Sequence, residues 1–202
     1  MQKEMIRNII FDIGNVLASF RWQEYYAQFG LEQDIYDRLA KATTLSESWM
    51  EYDRGVLSNE EILQKFIAND PELEPVIRKC LTHVQGLVGR YDYAIPWLKE
   101  LKEQGYGLYY LSNFAERARQ DCDDALDFLP YMDGGIFSYE EKVIKPEATI
   151  YRLLLERYNL NAEECVFFDD VEKNVLAARE TGIHGIVFEN KEQAMKELKG
   201  LV

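Results

Sequence analysis

Downstream of Tyr91 the sequence alternates short apolar runs with longer amphipathic stretches. Leu108-Tyr109-Tyr110-Leu111 is one run and Cys165-Val166-Phe167-Phe168 is another; residues 183–188 form a third, interrupted by His184-Gly185. Each is flanked by Gly, Asn or Asp and reads as a strand buried on both faces, although so short a run also suits a buried helix. Between the runs the spacing predicts helices. Trp97, Leu98 and Leu101 share a face over residues 96–104, and Gly105 stops the pattern. Ile150, Leu153, Leu154 and Tyr158 share a face over residues 147–158, and a further helix over 174–180 ends at Thr181-Gly182. Strand and helix in alternation argue for βαβ units and a parallel sheet. Residues 6–11 supply one more strand ahead of all of these.

Residues 18–88 have a different texture. They contain no good strand run but several helical patterns, over 22–29, 35–42, 62–68 and 75–84. Ser58 stands as N-cap of the third, with Glu61 three residues on to complete a capping box. A helical segment inserted after one strand looks like a cap or lid. The expected fold is therefore α/β: a Rossmann-like parallel sheet core with helices on both faces, plus an inserted helical cap. Residues 1–17 and 89–202 would form the core and residues 18–88 the cap. At 202 residues and 47% hydrophobic, the chain has enough apolar material for such a core. It shows no internal repeat and no low-complexity tract.

Charge narrows the partners. The chain carries 23 Lys and Arg against 36 Asp and Glu, a net charge of −13. Such a balance repels phosphate backbones and anionic lipid at long range, so no nucleic acid and no membrane are expected as partners. A small phosphate remains compatible if a metal ion intervenes. Cys80, Cys122 and Cys165 form no CxxC pair, and His83 and His184 are the only histidines. Neither a disulfide framework nor a zinc site is expected. Three unpaired cysteines fit a reducing compartment. The apolar stretch over residues 5–11 is broken by Arg7 and Asn8 and ends at Asp12, unlike a signal peptide. No run approaches the roughly 18 apolar residues of a membrane span. A cytoplasmic location is the expectation, and no sequence feature sets an oligomeric state.

Chemistry-bearing residues follow the strand runs directly. Asp12-Ile13-Gly14-Asn15 comes after Phe11, Ser112-Asn113 after Leu111, and Asp169-Asp170 after Phe168. In an open parallel sheet, ligands bind outside the carboxyl ends of the strands. Three strands thus deliver acids and a hydroxyl to one rim. Each group has a plainer reading as well. Asp12 ahead of Gly14 suits a turn, and Ser112-Asn113 suits an N-cap for a helix over 115–125. Asp169-Asp170 suits helix capping, and Lys145-Pro146 suits a helix start. Adjacent acids after a buried strand repel each other, however, and a cation would relieve that.

In this order, Asp12, Ser112, Lys145 and Asp169-Asp170, set in FDIGNV, LSN, KPE and FFDD, resemble the haloacid dehalogenase superfamily of hydrolases. The resemblance spans nearly the whole chain. The Asp-x-Gly-Asn-Val form, with Tyr52-Asp53-Arg54-Gly55-Val56-Leu57-Ser58, looks like the bacterial branch of sugar-phosphate phosphatases known for α-glucose 1-phosphate. Residues 168–182 are also similar to the phosphatase domain of soluble epoxide hydrolases. The resemblance implies a Mg²⁺-dependent phosphatase of small phosphorylated metabolites, sugar phosphates first among them. It implies Asp12 as nucleophile, forming an aspartyl phosphate that water hydrolyses. Mg²⁺ would be held by Asp12, the Gly14 carbonyl and the acidic pair, with Asp170 the direct ligand and Asp169 acting through water or supporting Lys145. Ser112 and the Asn113 backbone N–H would bind the phosphoryl group. Lys145 would bind phosphate and keep Asp12 ionised. Asn174 either steadies Asp170 or Lys145 or has an ordinary capping or surface role.

One departure stands out. Many family phosphatases carry a second Asp two residues after the nucleophile as general acid and base, and here that position is Gly14. Such help is worth roughly 10²–10⁴-fold in rate. The Gly14 departure keeps a weakly active or inactive binder of a phosphometabolite in view. A 2-haloacid dehalogenase and a phosphomutase are further alternatives. The acidic pair argues against the dehalogenase, and Gly14 argues against the mutase. Substrate choice belongs to the inserted segment. Its Trp22, Tyr25, Tyr26, Trp49 and Tyr52 either stack on a sugar or pack the cap, and Asp53 and Arg54 either reach substrate or form a helix-end salt bridge.

Overall fold

The structure, a computed structural model, describes residues 5–201; the outer ends of the expected core, residues 1–4 and 202, lie outside the described residues. Strands β1 (Asn8–Phe11), β4 (Gly107–Ser112), β5 (Gly134–Phe137), β6 (Cys165–Asp169) and β7 (His184–Val187) form a parallel sheet in the order β5-β4-β1-β6-β7. A separate antiparallel ribbon pairs β2 (Ala18–Phe20) with β3 (Val88–Arg90).

Helices α1 (Trp22–Ala27), α2 (Gln33–Ala42), α3 (Ser48–Arg54), α4 (Asn59–Asn69) and α5 (Glu74–Leu81) lie between the two ribbon strands. Helices α6 (Ala94–Glu103), α7 (Glu116–Asp121), α8 (Ser138–Glu141), α9 (Ala148–Tyr158), α10 (Glu172–Glu180) and α11 (Lys191–Leu201) follow.

The strands are apolar throughout because both faces of the sheet are covered. Alternation sends Ile9, Phe11, Val166 and Phe168 to one side, where Trp97, Leu98 and Leu101 of α6 and Leu198 of α11 bury them. Trp97 meets Phe11 edge-on at 5.0 Å and stacks on Phe168 at 5.9 Å. Ile10, Cys165 and Phe167 point to the other side, against Ile150, Tyr151 and Leu154 of α9 and Ala178 of α10. Burying each such large side chain stabilises the fold by roughly 1.5–3 kcal/mol.

The inserted helices pack around Tyr26, Leu39, Phe66 and Ile77, which are continuous with the first of these clusters. Ser58 caps α4 as expected: its hydroxyl accepts from the Glu61 N–H, and the Glu61 carboxylate accepts from the Ser58 N–H at 2.8 Å.

Three local expectations need correction. Residues 18–88 begin and end in strands, each too short to show a period. β5 falls in a stretch assigned no strand. The single helix expected over 115–125 stops at Asp121, and a 3₁₀ turn, Asp123–Leu126, takes over. Among the described residues no helix is long and apolar enough to cross a membrane.

Candidate active site

β1 lies at the centre of the sheet, between β4 and β6, where the strand order reverses. Ligands bind at such a point, outside the strand ends. Register brings the expected residues there. Phe11 pairs with Tyr110 on one side and Phe168 on the other, so Asp12 and Asp169 emerge level with each other. The Asp12 N–H donates to the Phe168 carbonyl at 2.8 Å.

Lys145 ties the rim together. Its Nζ stands 2.9 Å from Asp12 Oδ1 and 2.6 Å from Asp169 Oδ2, with the lysine side chain only 1% exposed. Asn113 clasps the lysine backbone at both ends: its Nδ2 donates to the Lys145 carbonyl at 3.0 Å, and the Lys145 N–H donates to its Oδ1 at 2.7 Å. Burial alone would lower the Lys145 ammonium, but Asp12 and Asp169 outweigh it and hold it above its ordinary value. The Asp12 carboxyl is pushed up to about 7. Burial is the main cause; Lys145 opposes it, and the charges of Asp169 and Asp170 add to it. Asp12 Oδ1 also accepts from the Ile13 N–H at 2.7 Å, which leaves Oδ2 without a protein donor among the described residues.

The acidic pair divides its work. Asp169 is fully buried and tied to Lys145, to the Val171 N–H at 2.8 Å and to Asn174 Nδ2 at 3.1 Å. Asp170 lines the cavity, and Asn15 Nδ2 donates to its Oδ2 at 3.0 Å. Burial pushes the Asp170 carboxyl up, against the pull of the Asn15 hydrogen bond. Asn174 therefore steadies Asp169, not Asp170.

The cavity measures about 290 Å³ and is walled by Asp12, Gly14, Asn113, Lys145 and Asp170 on the core side. Ser112 ends β4 at 1% exposure but is not part of this wall. From the inserted segment, Phe20, Trp49, Met50, Tyr52 and Asp53 close the opposite side. Trp22, Tyr25 and Tyr26 are not on the wall. Tyr25 hydrogen-bonds the Cys80 and His83 carbonyls, and Tyr26 the Thr43 and Thr44 hydroxyls, so these rings serve helix packing. Arg54 pairs with Glu51 at 3.4 Å and with Glu147, across the seam, at 2.7 Å.

Two site residues had no assigned role in the sequence reading. Asn15 adopts a left-handed φ of 56°, which asparagine tolerates better than most residues, and so turns its amide toward Asp170. The Gly-Asn pair after the first strand was the available signal. Ser138 donates from Oγ to the Asp53 carbonyl at 2.6 Å, a contact 85 positions apart in sequence that only folding creates.

The donor set suits a cation. Asp12, Asp169 and Asp170 offer oxygens all within 4.8 Å of one another, and the cluster consists of carboxylates alone. One ammonium faces three acids. Asn174 Oδ1 is a buried acceptor without a hydrogen-bond partner among the described residues. Hard oxygen donors carrying excess negative charge fit Mg²⁺.

A doubly wound sheet with carboxylates and a lysine gathered at its switch point defines an α/β enzyme with a rim site. The haloacid dehalogenase-like hydrolase family model matches residues 6–182, and the chain belongs to that family of hydrolases. The sesquiterpene phosphatase astK of Aspergillus oryzae is 25% identical over 195 residues, covering 96% of this chain and 95% of that protein. Mouse acyl-CoA dehydrogenase family member 10 is 26% identical over 210 residues, 97% of this chain but 19% of that much longer protein. The HAD family enzyme bt-2542 of Bacteroides thetaiotaomicron has a similar structure, with a TM-score of 0.71 at 22% identity, covering 96% of this chain and 98% of that one. The complex of that enzyme with magnesium and inorganic phosphate matches at a TM-score of 0.69 and 23% identity, covering 92% and 96%. At such identities the structural likeness speaks for the fold alone.

Proposed function

We propose that this hydrolase is a Mg²⁺-dependent phosphatase of small phosphorylated metabolites, acting through a phosphorylated Asp12. The observation that carries the reading is the buried Lys145 bridge between Asp12 and Asp169, with Asp170 beside it on the cavity wall. Asp12 is held by Oδ1 and keeps Oδ2 for attack on phosphorus. Lys145 holds its own charge between two acids and favours the ionised nucleophile. Asn113 keeps the lysine backbone in register, and Asn174 and the Val171 N–H keep Asp169 aimed at it. Asp12, the Gly14 carbonyl and Asp170 would hold Mg²⁺, with Asp169 behind them. Bound there, the ion offsets the repulsion between an anionic nucleophile and an anionic phosphate. Ser112 and the Asn113 N–H are proposed as phosphate donors.

Residues 18–88 are proposed as the cap and the remainder as the core, with substrate entering between them. The sugar-phosphate expectation gains support from Trp49 and Tyr52, two aromatic residues that line the cavity. The prominence of apolar side chains on that wall also favours monoesters of more apolar alcohols, as the name of the Aspergillus phosphatase suggests for that protein. A cytoplasmic site of action belongs to the proposal, and three buried free thiols suit a reducing compartment.

The test is phosphate release from a panel of hexose phosphates, nucleotides, isoprenoid phosphates and aryl phosphates in Mg²⁺. Turnover of at least one class is expected, abolished by EDTA and lowered at least about 10³-fold by Asp12→Asn. Undiminished turnover in EDTA, or in the Asp12→Asn variant, overturns the reading.

A further inference from the structure

Gly14 leaves the reaction without a side-chain acid next to the nucleophile, and packing does not force that choice. A Cβ built at Gly14 meets nothing within 4 Å. A side-chain proton for a departing alkoxide would then have to come from elsewhere on the cavity wall.

Asp53 lines the same cavity as Asp12, Gly14 and Lys145, but from the side of the inserted helices. It lies on the last turn of α3 and outside the acid cluster suited to a cation. The backbone around it is fastened to the core at several points. Ser138 Oγ donates to the Asp53 carbonyl at 2.6 Å, and Lys142 Nζ donates to the Gly55 carbonyl at 2.6 Å. Arg54 crosses to Glu147 at 2.7 Å. Gly55, at a φ of 69°, sits so close to Tyr139 that a Cβ would come within 2.7 Å of that residue's Cβ. The Asp53 carboxyl itself takes no hydrogen bond or ion pair among the described residues. Asp12 and Asp170, the other acids on the wall, are both tied.

A turn anchored through its backbone, carrying an untied carboxyl on a residue that lines the same cavity as Asp12, is placed to present that carboxyl. Its neighbours on the wall include Trp49, Met50, Val88 and Phe114, which disfavour a bare negative charge. Burial first, and then the charge of Asp12, push the Asp53 carboxyl up to about 8, with Lys145 pulling it back in part. A carboxyl so placed holds its proton near neutral pH, as a general acid must.

We propose that Asp53 is the general acid and base of this site. As Asp12 Oδ2 forms its bond to phosphorus and the ester P–O bond breaks, the leaving oxygen takes the Asp53 proton. The Asp53 carboxylate then takes a proton from the water that attacks the aspartyl phosphate, which frees Asp12 and phosphate and restores the acid. This assignment rests on the phosphatase reading above.

The experiment separates proton donation from binding by leaving group. Wild type, Asp53→Asn and Asp53→Glu are assayed in Mg²⁺ on para-nitrophenyl phosphate, whose phenolate leaves without help, and on n-butyl phosphate, whose alkoxide does not. In Asp53→Asn the loss of kcat on butyl phosphate exceeds that on the aryl ester by on the order of 10²-fold. Asp53→Glu recovers part of the difference. Equal losses on both esters, or no loss on either, overturn the assignment and leave the phosphatase reading standing. No wild-type turnover of any phosphomonoester overturns both.

Discussion

Lys145 shows most directly how a single residue holds this site. It is a buried ammonium between two buried carboxylates, and removing it leaves both acids without their counter-charge. Lys145→Met is expected to cost about 3–5 kcal/mol of stability, read as a fall in the urea midpoint, and to abolish turnover. An unchanged midpoint would show that the bridge is not structural. Asp12 and Asp169-Asp170 were legible from the sequence because each directly follows an apolar run, whereas Lys145 stood out only through the family resemblance of its Lys-Pro-Glu setting. Their division of labour was not. Asp169 and Asp170 are neighbours with the same side chain. They differ because alternation along β6 turns Asp169 into the core, beneath Lys145, and leaves Asp170 at the cavity. Asn174 follows the same logic: helical spacing placed it near Asp170, but the start of α10 aims its amide at Asp169.

Elements differ in how much local sequence controls them. The capping box at Ser58 was readable because its bonds lie within four residues. β5 was not, because Gly134-Gly135 breaks its apolar run. Gly135 is required by a neighbour distant in sequence, since a Cβ there would come within 2.3 Å of the Tyr110 ring. The end of α3 is of the second kind. Gly55 closes the helix in the left-handed region and packs on Tyr139 of α8, so its importance comes from the seam. Gly55→Ala is expected to lose about 1–3 kcal/mol through strain and to reduce turnover by displacing Asp53. Ser58→Ala is expected to lose about 1 kcal/mol through its cap and leave turnover near wild type. Denaturation midpoints and kcat of the two variants check the contrast.

At the scale of the whole molecule, one cavity joins two parts of the chain: the sheet rim supplies charge, and the inserted helices supply the opposite wall. A ligand that bridges them stabilises the folded state by mass action. Mg²⁺ with inorganic phosphate at 100 times its dissociation constant is expected to add about 2.7 kcal/mol, a rise in melting temperature of roughly 5–10 °C. Asp170→Asn should remove most of that rise, and a thermal melt of the variant equal to wild type would count against the metal site. The strands β1, β4 and β6, the acids that follow β1 and β6, and the family they signal were written in local pattern, because buried parallel strands must be apolar end to end and rim residues must come next. The order β5-β4-β1-β6-β7, the choice of Asp169 for the lysine, and the arrival of Asp53 over the cavity came only with the fold. Those depend on register and on contacts such as Ser138 to Asp53, where the partners lie far apart in the chain and no local spacing brings them together.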